Sequence, residues 1–367
     1  MAQAISRGYD LVHTSFAAGK SEIYTMHTIP LQTVSGQSKI LIGQGFNDLY
    51  ARLPTQRAAI ITDHTVCRLF GSRFPDLPVL KVGSGEGIKT LDTVAQLARE
   101  LMEAGADRSW FILGIGGGIV CDVAGFLASI YMRGVRFGFV PTTLLAQVDA
   151  SVGGKNGVNL DGYKNMLGVF NQPELVLCDP EFISTLSEED FTCGLAEVIK
   201  HAAIADLNLL SFLEVNQQAV LAREPWAVER LVQDSVRIKS GVVSQDEKES
   251  GLRRVLNFGH TLGHALEKET GISHGRAVSQ GMAAAAKLSV RRGLLSEADC
   301  ARFMSLLHAY RLPTALQAEP DNLAQALARD KKREGEDMHF VLVQGLGRAV
   351  VHTLPLSEVE AALQGMD

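Results

Sequence analysis

The stretch from Arg253 to His264 holds polar side chains whose types and spacing could support chemistry. Four of them follow one another at intervals of three or four residues: Arg253, Asn257, His260 and His264. At 3.6 residues per turn, this spacing predicts one polar stripe on a helix whose other faces are apolar. A buried polar stripe needs partners, so the pattern predicts a metal ion, a ligand or a cavity in front of it. The alternative is a core helix whose histidines bond to backbone carbonyls.

A carboxylate and a third imidazole elsewhere in the chain could complete a metal site. Glu197 lies in an apolar helical stretch one turn before Lys200, where a glutamate is expected to be paired or to bind a metal. His274 lies in a turn that leads into another predicted helix. Two imidazoles and one carboxylate, with coordination positions left over, are typical ligands of catalytic Zn²⁺. The sequence therefore predicts a metal site made of Glu197, His260 and His274.

Charged side chains near this set outnumber those that one metal ion requires. They are Asp149, Lys155, Lys164, Lys200, Lys239, Arg253 and Lys332. Fixed cations beside a metal predict a small polyanionic substrate, such as an acidic sugar phosphate with both a phosphate and a carboxylate. Lys155 follows two glycines and Lys164 precedes Asn165, so this region is predicted to be a loop that cradles a phosphate. A solvated turn is the alternative.

The first half of the chain supplies the elements that would position these residues. Short apolar runs that predict strands lie at residues 23–34, 39–42, 58–62, 79–82, 110–115 and 137–140. Their alternation with helical stretches predicts an α/β fold with a Rossmann-like parallel sheet, which binds ligands at the carboxyl ends of its strands. Gly116-Gly117-Gly118, followed by Asp122, comes between a strand and a helix. This turn could bind phosphate at the helix N-terminus, or it could only allow close packing.

The strand signal stops near residue 183, and the sequence after it is mostly helical, with one further strand predicted at residues 339–343. Two domains are therefore predicted. Residues 1–182 would form an α/β NAD-binding domain, and residues 183–367 a mainly α-helical domain that binds metal and substrate. About 24 residues at the N-terminus show no clear period and are predicted to be an extension.

Composition argues against several classes of protein. The chain has 367 residues, 46% of them hydrophobic, and a net charge of −6, without a basic block that would suggest a nucleic-acid partner. Residues 111–132 are apolar enough to suggest a membrane span, but three glycines and Asp122 favour a buried strand, turn and helix. Five scattered cysteines and an N-terminus without an apolar leader predict a cytoplasmic protein.

Eight motifs give the chain a resemblance to a known family. In chain order they read GGGxxxDxAGF, YMRGV, PTTLLAQVDASVGGK, KNMLG, GLAEVIK, LNFGHTLGHALE, HGRAVSQGM and DKK. Together, and in this order and spacing, they resemble the 3-dehydroquinate synthases of the sugar-phosphate cyclase superfamily. The resemblance runs from about residue 83 to residue 343. It implies NAD and a divalent metal, zinc or cobalt, as cofactors, and a homodimer as the functional unit.

The resemblance also implies roles for individual residues. Those that match the family's zinc ligands are Glu197, His260 and His274. Those that match its NAD contacts are Asp63, Glu86, Lys89, Gly116, Gly117, Gly118, Asp122, Thr142, Thr143 and Thr185. Those that match its substrate-binding and catalytic set are Asp149, Lys155, Lys164, Asn165, Lys200, Lys239, Arg253, Asn257, His264 and one of Lys331 and Lys332. Arg133 matches an arginine that family members insert into the site of the neighbouring subunit.

The implied reaction converts 3-deoxy-arabino-heptulosonate 7-phosphate to 3-dehydroquinate and phosphate, the second step of the shikimate pathway to aromatic amino acids. NAD oxidises the substrate transiently, phosphate is eliminated, the oxidised carbon is reduced again, and an intramolecular aldol step closes the ring. Two departures from the family pattern, residues 159–163 and Cys121, leave other sugar-phosphate cyclases open, such as an amino-dehydroquinate synthase. A metal-dependent polyol or glycerol-phosphate dehydrogenase and a non-catalytic binding protein are further alternatives.

Overall fold

The structure of this chain is a computed structural model that describes residues 26–328, 333–334 and 337–364. The predicted N-terminal extension lies outside these ranges, as do Lys331 and Lys332 of the predicted substrate set. Within the described ranges, none of the helices has the length and hydropathy that crossing a membrane requires.

The chain divides into two compact units. The first holds the described residues up to Leu186 together with Val228–Glu247. The second holds Ser187–Ala227 and the described residues from Lys248 onward. The two domains at residues 1–182 and 183–367 stay a prediction.

The strands of the described residues are β1 (His27–Gln32), β2 (Gln37–Ile42), β3 (Ala58–Asp63), β4 (Val79–Val82), β5 (Phe111–Gly116), β6 (Arg136–Pro141), β7 (Lys155–Leu160), β8 (Tyr163–Phe170), β9 (Leu175–Cys178), β10 (Arg333–Glu334), β11 (Asp337–Val343) and β12 (Ala349–Pro355). Seven of them form one sheet of the first unit, in the order β1-β2-β9-β6-β5-β3-β4. β1 pairs antiparallel with β2, and the other pairs of this sheet are parallel. The predicted α/β fold with a Rossmann-like parallel sheet is confirmed.

The central strands of this sheet are buried on both faces. All six residues of β5 and five of the six in β3 are buried, and strands of this kind read in the sequence as continuous apolar runs. The register pairs Gly116 of β5 with Pro141 of β6, and Ile115 with Thr62 of β3. The carboxyl ends of β3, β5 and β6 therefore lie side by side. Asp63, the Gly116 turn and the residues after Pro141 meet at this edge, where parallel sheets bind ligands.

The α-helices of the described residues are α1 (Leu49–Arg52), α2 (His64–Phe70), α3 (Leu91–Glu103), α4 (Gly118–Ile130), α5 (Glu188–Ala205), α6 (Leu207–Val215), α7 (Gln217–Leu221), α8 (Pro225–Gln245), α9 (His260–Thr270), α10 (His274–Arg291), α11 (Glu297–Ala309), α12 (Pro320–Ala328) and α13 (Leu356–Gln364). Side-chain caps fix where some of them begin. The Ser187 hydroxyl, for example, accepts a hydrogen bond from the Asp190 N–H at 3.0 Å and so starts α5. The second unit is largely helical, as predicted, with a small antiparallel sheet of β10, β11 and β12.

Glycines allow three helices of the second unit to pack with their backbones in contact. A Cβ atom on Gly281 of α10 would lie 2.0 Å from the carbonyl oxygen of Gly259, just before α9. One on Gly275, also in α10, would lie 2.4 Å from Cα of Cys193 in α5. Side chains cannot approach backbone this closely, so only glycine fits at these positions. This packing brings together the polar side chains that the three helices carry.

The stretch 253–264 is not one continuous helix, so that prediction is wrong. A 3-10 helix spans Leu252–Asn257, the chain turns at Gly259 with a φ of +80°, and α9 begins at His260. A Cβ atom on Gly259 would lie 2.5 Å from the Met282 side chain. The close packing of this turn against α10 therefore overrides the helical period of the sequence. The polar residues before and after the turn do not share one helical stripe.

The region predicted to be a loop has regular structure, so the predicted loop is wrong, while its role in binding phosphate stays a prediction. A π-helix at Ala146–Ala150 is followed by β7 and β8, which pair as an antiparallel hairpin. Asp161-Gly162 forms the hairpin turn with φ values of +49° and +80°, the positive pair that a type I′ turn requires. Lys155 begins β7, and Lys164 and Asn165 lie in β8. β8 is mostly exposed and lacks the buried alternation by which strands are recognised.

Glu247, in the first unit, holds the turn between β1 and β2. Its carboxylate accepts hydrogen bonds from the Ser35 N–H at 3.0 Å, from the Ser35 hydroxyl, and from Gln172 Nε2 at 2.9 Å. Burial alone would raise the pKa of Glu247. The hydrogen bonds have the larger effect and lower the pKa to about 2. A carboxyl group whose pKa falls on folding adds stability above its unfolded pKa of about 4.3 and loses that contribution as the pH falls through the folded value.

Glu247→Ala should therefore lower the free energy of unfolding by about 1–2 kcal/mol at pH 7, a value discounted for solvent screening near the surface. The deficit relative to wild type should shrink as the pH falls from about 4.3 towards about 2, because the wild-type carboxylate is then protonated. Urea unfolding at a series of pH values measures this difference. Glu103→Ala, at the exposed end of α3, is the control and should change little at any pH. A Glu247→Ala deficit that is constant across the range would contradict this explanation.

Candidate active site

Three side chains of the second unit converge on one point. Nε2 of His260 lies 3.5 Å from Oε1 of Glu197, and Nε2 of His274 lies 3.4 Å from the same oxygen. The potential ligand atoms of the three residues all lie within 4.8 Å of one another. The imidazole centroids of the two histidines are 5.3 Å apart. The structure thus brings together the set predicted to bind a metal ion, and the assignment as ligands stays a prediction.

Both imidazoles are oriented through their second ring nitrogen. Nδ1 of His260 donates a hydrogen bond to the carbonyl oxygen of Phe258 at 3.3 Å. Nδ1 of His274 donates to Oε1 of Glu267 at 3.0 Å. With Nδ1 engaged in each ring, Nε2 faces Glu197. Metal-binding histidines commonly have this arrangement, in which an acceptor outside the site fixes the ring.

Glu197 is completely buried, and the charges around it keep its carboxylate ionised. Burial raises the pKa of Glu197, but the Lys200 ammonium and the two imidazoles lower it well below its usual range. Lys200, also buried, forms an ion pair with Glu197 from one helical turn away. Burial lowers the pKa of His260 well below its usual range, so this imidazole is neutral at pH 7. An anionic carboxylate and a neutral imidazole are the forms that bind metal ions.

This donor set fits a divalent metal ion. Oε1 of Glu197 is buried and lies between two imidazole nitrogens without hydrogen-bond geometry to either. Burial lowers the pKa of His274, but the carboxylates of Glu197 and Glu267 raise it to about 10. A site that attracts a proton this strongly also attracts a cation, because proton and metal compete for the same nitrogen. One oxygen and two nitrogens are ligands that zinc accepts in catalytic sites.

The other predicted substrate residues described in the second unit lie on both sides of the Gly259 turn. His264, one turn after His260, is exposed, and the centroids of these two rings are 5.5 Å apart. Arg253 is 3% exposed, in the 3-10 helix before the turn. Asn257, in the same 3-10 helix, donates from Nδ2 to the Glu249 carboxylate. A buried guanidinium is suited to bind a carboxylate or a phosphate.

In the first unit, Lys89 joins residues predicted to bind NAD with one predicted to bind substrate. Its ammonium group donates to the Asp122 carboxylate and to the side-chain oxygen of Asn165. Burial raises the pKa of Asp122, and Lys89 partly offsets this. The Asn165 N–H donates to Oδ1 of Asn159 at 2.8 Å, and Nδ2 of Asn159 donates to Oε1 of Glu86 at 2.8 Å. Four predicted residues therefore belong to one polar network, which Asn159 completes.

Asp149 and Lys239 form another polar pair in the first unit. Nζ of Lys239 donates to Oδ1 of Asp149 at 2.7 Å and to its backbone carbonyl at 2.6 Å. Asp149 lies in the π-helix, a rare conformation that often occurs at functional sites. The buried side chain of Gln147 holds this helix, because its Nε2 donates to the carbonyl oxygens of Pro141 at 3.1 Å and Asp179 at 2.8 Å.

The turn at Gly116–Gly118 has features of both predicted alternatives. A Cβ atom on Gly116 would lie 2.6 Å from Val120, and one on Gly118 would lie 3.1 Å from Ala150, so the turn is closely packed. Among the described residues, no side chain caps α4 at Gly117. Its first backbone N–H groups are therefore available to an anion such as a phosphate.

The remaining predicted NAD contacts make local hydrogen bonds. Asp63 caps α2, and its Oδ1 accepts from two backbone N–H groups at 2.8 and 2.9 Å. The Thr142 N–H donates to the Gly116 carbonyl at 2.9 Å, and the Thr143 hydroxyl accepts from a backbone N–H at 3.1 Å. The Thr185 hydroxyl, at the exposed end of a 3-10 helix, donates to a backbone carbonyl at 3.0 Å. Asp63 and the two threonines after β6 lie at the ligand-binding edge of the sheet.

Three predicted cations lie at the surface of the first unit. Lys155 and Lys164 are exposed on the two strands of the β7–β8 hairpin. Arg133 is exposed on the turn after α4, with a φ of +70° next to Met132 with a φ of +49°. Two successive non-glycine residues with positive φ are uncommon, and such strained turns occur often at binding sites.

Sequence reasoning missed several side chains of these networks: Gln147, Asn159, Glu249 and Glu267. A signal was available for two of them. Glu267 follows His260 by seven residues, or two turns, and so lies on the same face of α9. Asn159 lies just before Asp161-Gly162, a dipeptide that strongly indicates a hairpin.

Comparison with known proteins identifies one family over most of the chain. Residues 79–193 match the family model described as 3-dehydroquinate synthase N-terminal. Residues 194–333 match the model described as 3-dehydroquinate synthase C-terminal. The curated 3-dehydroquinate synthase of Dehalococcoides mccartyi strain BAV1 is 40% identical over 342 residues, which cover 89% of this chain and 95% of that protein.

Two solved structures are similar to this one. A 2-deoxy-scyllo-inosose synthase complexed with carbaglucose-6-phosphate, NAD⁺ and Co²⁺ has a TM-score of 0.83 and 26% identity, and the match covers 93% of this chain and all (100%) of that one. The 2-epi-5-epi-valiolone synthase of Streptomyces hygroscopicus, with NAD⁺ and Zn²⁺ bound, has a TM-score of 0.81 and 30% identity. That match covers 92% of this chain and 98% of the other. Both neighbours bind NAD⁺ and a divalent metal ion.

Proposed function

This chain belongs to the 3-dehydroquinate synthase family, and on that premise we propose that it converts 3-deoxy-arabino-heptulosonate 7-phosphate to 3-dehydroquinate and phosphate. The enzyme would be a carbon–oxygen lyase of the shikimate pathway. The observation that carries the proposal is the convergence of Glu197, His260 and His274 in a chain that is 40% identical to a 3-dehydroquinate synthase. NAD and a divalent metal, zinc or cobalt, are the proposed cofactors, because the two structural neighbours bind them.

Other sugar-phosphate cyclases and dehydrogenases are not favoured. The two cyclase structures described above are 26% and 30% identical to this chain, against 40% for the curated 3-dehydroquinate synthase. The buried Arg253 also suits a substrate with a carboxylate, a group that most other cyclase substrates lack.

Glu197, His260 and His274 would hold the metal ion, and the Gly116–Gly118 turn with Lys89 would contact NAD. When bound, NAD supplies the transient oxidation, and the metal supplies positive charge for an oxygen of the substrate. The buried pair of Lys200 and Glu197 would keep the metal ligand anionic and in place. The ligand carboxylate is thus fixed before substrate arrives, which avoids reorganisation during the reaction.

The remaining charged groups would bind and orient the substrate. Lys155, Lys164 and Asn165 would surround its phosphate, and their positive charge favours the departing phosphate anion. Lys239 is held by two hydrogen bonds to Asp149 and so presents its ammonium group in a fixed position. Such fixed groups would keep the open-chain sugar in one conformation and reduce the entropic cost of ring closure.

Phosphate release tests this proposal. The metal-loaded protein, supplied with NAD⁺, should release one phosphate for each molecule of the heptulosonate phosphate consumed and should form 3-dehydroquinate. Sedoheptulose 7-phosphate, which has no carboxylate, should be a poor substrate. A wild-type protein that prefers sedoheptulose 7-phosphate would overturn the assignment.

Arg253→Ala should weaken binding of the carboxylate-bearing substrate by about 2–5 kcal/mol, the range for removing one partner of a buried ion pair. Steady-state kinetics and direct binding of the heptulosonate phosphate measure the effect. Arg254→Ala is the matched control, because the neighbouring arginine is only half-buried, and it should bind nearly like wild type. Equal losses in the two variants would contradict a specific role of Arg253.

A homodimer is proposed as well, with Arg133 of one subunit completing the site of its partner. Met132 and Phe170 support it, because these large apolar side chains are 45% and 39% exposed. Nδ2 of Asn171 donates to the Ser129 hydroxyl at 2.9 Å, which holds the end of β8 beside the end of α4. The ends of α4 and β8 therefore lie side by side, with Met132 and Arg133 just after the one and Phe170 at the other. Exposed apolar patches often mark protein–protein interfaces.

The cytoplasmic location stays a prediction. All five cysteines are free thiols, which is consistent with a reducing compartment.

A further inference from the structure

We propose that Glu267 is the positioning carboxylate of the metal site: it orients His274 through Nδ1 and strengthens this ligand without binding the metal itself. The inference rests on the proposed metal site of Glu197, His260 and His274. It adds to that site a residue of α9 that would determine how tightly the metal is held.

His274 contacts one carboxylate with each ring nitrogen. Nδ1 lies 3.0 Å from Oε1 of Glu267, and Nε2 lies 3.4 Å from Oε1 of Glu197. The side chain of Glu267 is only 10% exposed. A hydrogen bond to a shielded carboxylate is stronger than one exposed to water. The bond at Nδ1 fixes the plane of the ring, and so it fixes the direction in which Nε2 points.

His260 provides an internal comparison. Its Nδ1 donates to the Phe258 backbone carbonyl at 3.3 Å, a longer contact with a neutral acceptor. A carboxylate acceptor raises the basicity of a histidine ligand more than a neutral carbonyl does. Of the two histidines, His274 is therefore the one whose strength as a ligand depends on a side chain, that of Glu267.

The position of His274 explains why it needs such a partner. It is the first residue of α10, and its side chain is 30% exposed, compared with 11% for His260. Packing constrains this half-buried ring at a helix start less than it constrains the His260 ring, so the rotamer of His274 depends more on hydrogen bonds. Glu267 lies two turns after His260 on α9, so this one helix carries a predicted ligand and also orients the ligand of α10.

Zinc affinity of the purified full-length chain tests the proposal without requiring activity. Competition with a chelator, in the absence of NAD⁺ and substrate, should show a Kd about 10–100-fold higher for Glu267→Ala. Glu267→Gln should show a smaller increase, because its amide oxygen can still accept from Nδ1 but carries no charge. Glu269→Gln, the matched change at an exposed position two residues later, should bind zinc like wild type.

Two further measurements separate positioning from other roles. The visible spectrum of the Co²⁺-loaded protein should change in Glu267→Ala, because the ligand geometry changes, while the stoichiometry stays at one ion per chain. Thermal unfolding of the metal-free variants should show that they are folded, and Glu267→Gln carries the test if the alanine variant is not. A wild type that binds no zinc would refute the proposed metal site itself, which distinguishes that failure from a failure of this inference.

Two results would overturn the proposal. One is a folded Glu267→Ala protein with wild-type zinc affinity. The other is two ions in the wild type and one in Glu267→Ala. His264, Glu267 and His274 also have ligand atoms within 4.8 Å of one another, so the second result would make Glu267 a ligand of its own ion.

Discussion

Replacing Glu197 or His274 by alanine should remove the bound metal ion and lower turnover by on the order of 10³-fold. A metal ion at a reacting oxygen contributes several kcal/mol to the transition state, and each 1.4 kcal/mol corresponds to about a factor of ten. Elemental analysis of the purified variants measures the metal, and phosphate release measures the activity. Both readouts should fall together, because the three predicted ligands meet at one point.

The two variants differ in their risk of unfolding. Glu197→Ala leaves Lys200 buried without its carboxylate, which costs about 3–5 kcal/mol when one partner of a buried ion pair is removed. The His274 side chain is 30% exposed, so His274→Ala should disturb folding less and gives the cleaner test. His308→Ala removes an exposed histidine of α11 and serves as the control. A folded His274→Ala protein with a full metal load would show that His274 is not a ligand.

Arg133→Ala and Lys155→Ala should each be nearly inactive alone, yet a mixed dimer of the two should regain up to half of the wild-type activity. In such a dimer, the Arg133→Ala chain keeps its own Lys155 and receives an intact Arg133 from its partner. The other site lacks both residues, so one site of two is complete. Co-refolding the two variants and isolating the mixed dimers by two affinity tags measures the recovery.

The alternatives to this arrangement predict different results. If Arg133 serves the site of its own chain, verified mixed dimers show no recovery, because each chain carries one defect in its own site. If Arg133 is only an exposed surface residue, Arg133→Ala alone has nearly normal activity. A dimer that dissociates in Arg133→Ala would point to a structural role at the interface.

The parallel sheet could be predicted from the sequence because its central strands are apolar runs buried on both faces. The apolar runs at residues 58–62 and 79–82 match β3 and β4 to within one residue. Two predictions were wrong where other forces decide the backbone. Gly259 turns the chain so that α9 can pack on α10, and the helical period before it carries no information about this contact. The exposed β8 has no buried face to produce alternation.

The candidate site divides in the same way. The residue types of Glu197, His260 and His274 indicated a metal site in the sequence. The structure brings the three side chains together because α5, α9 and α10, which carry them, pack against one another. Glu267 carried only one signal, its spacing of two turns from His260, because an acidic residue near a helix end, followed by Lys268 and Glu269, otherwise has the pattern of a solvated face. Its role depends on the contact with His274, which comes from the packing of α10 and not from the local sequence.

The balance between NADH and phosphate during turnover tests the central claim most directly. The protein is incubated with a divalent metal, the heptulosonate phosphate and NAD⁺ at a small fraction of the substrate concentration. A cyclase that reoxidises its cofactor in each cycle should release phosphate equal to all the substrate consumed, over many turnovers per NAD⁺, while NADH absorbance stays flat. NADH that rises in step with substrate consumption, with turnover ending when NAD⁺ is exhausted, would contradict this account and identify a dehydrogenase.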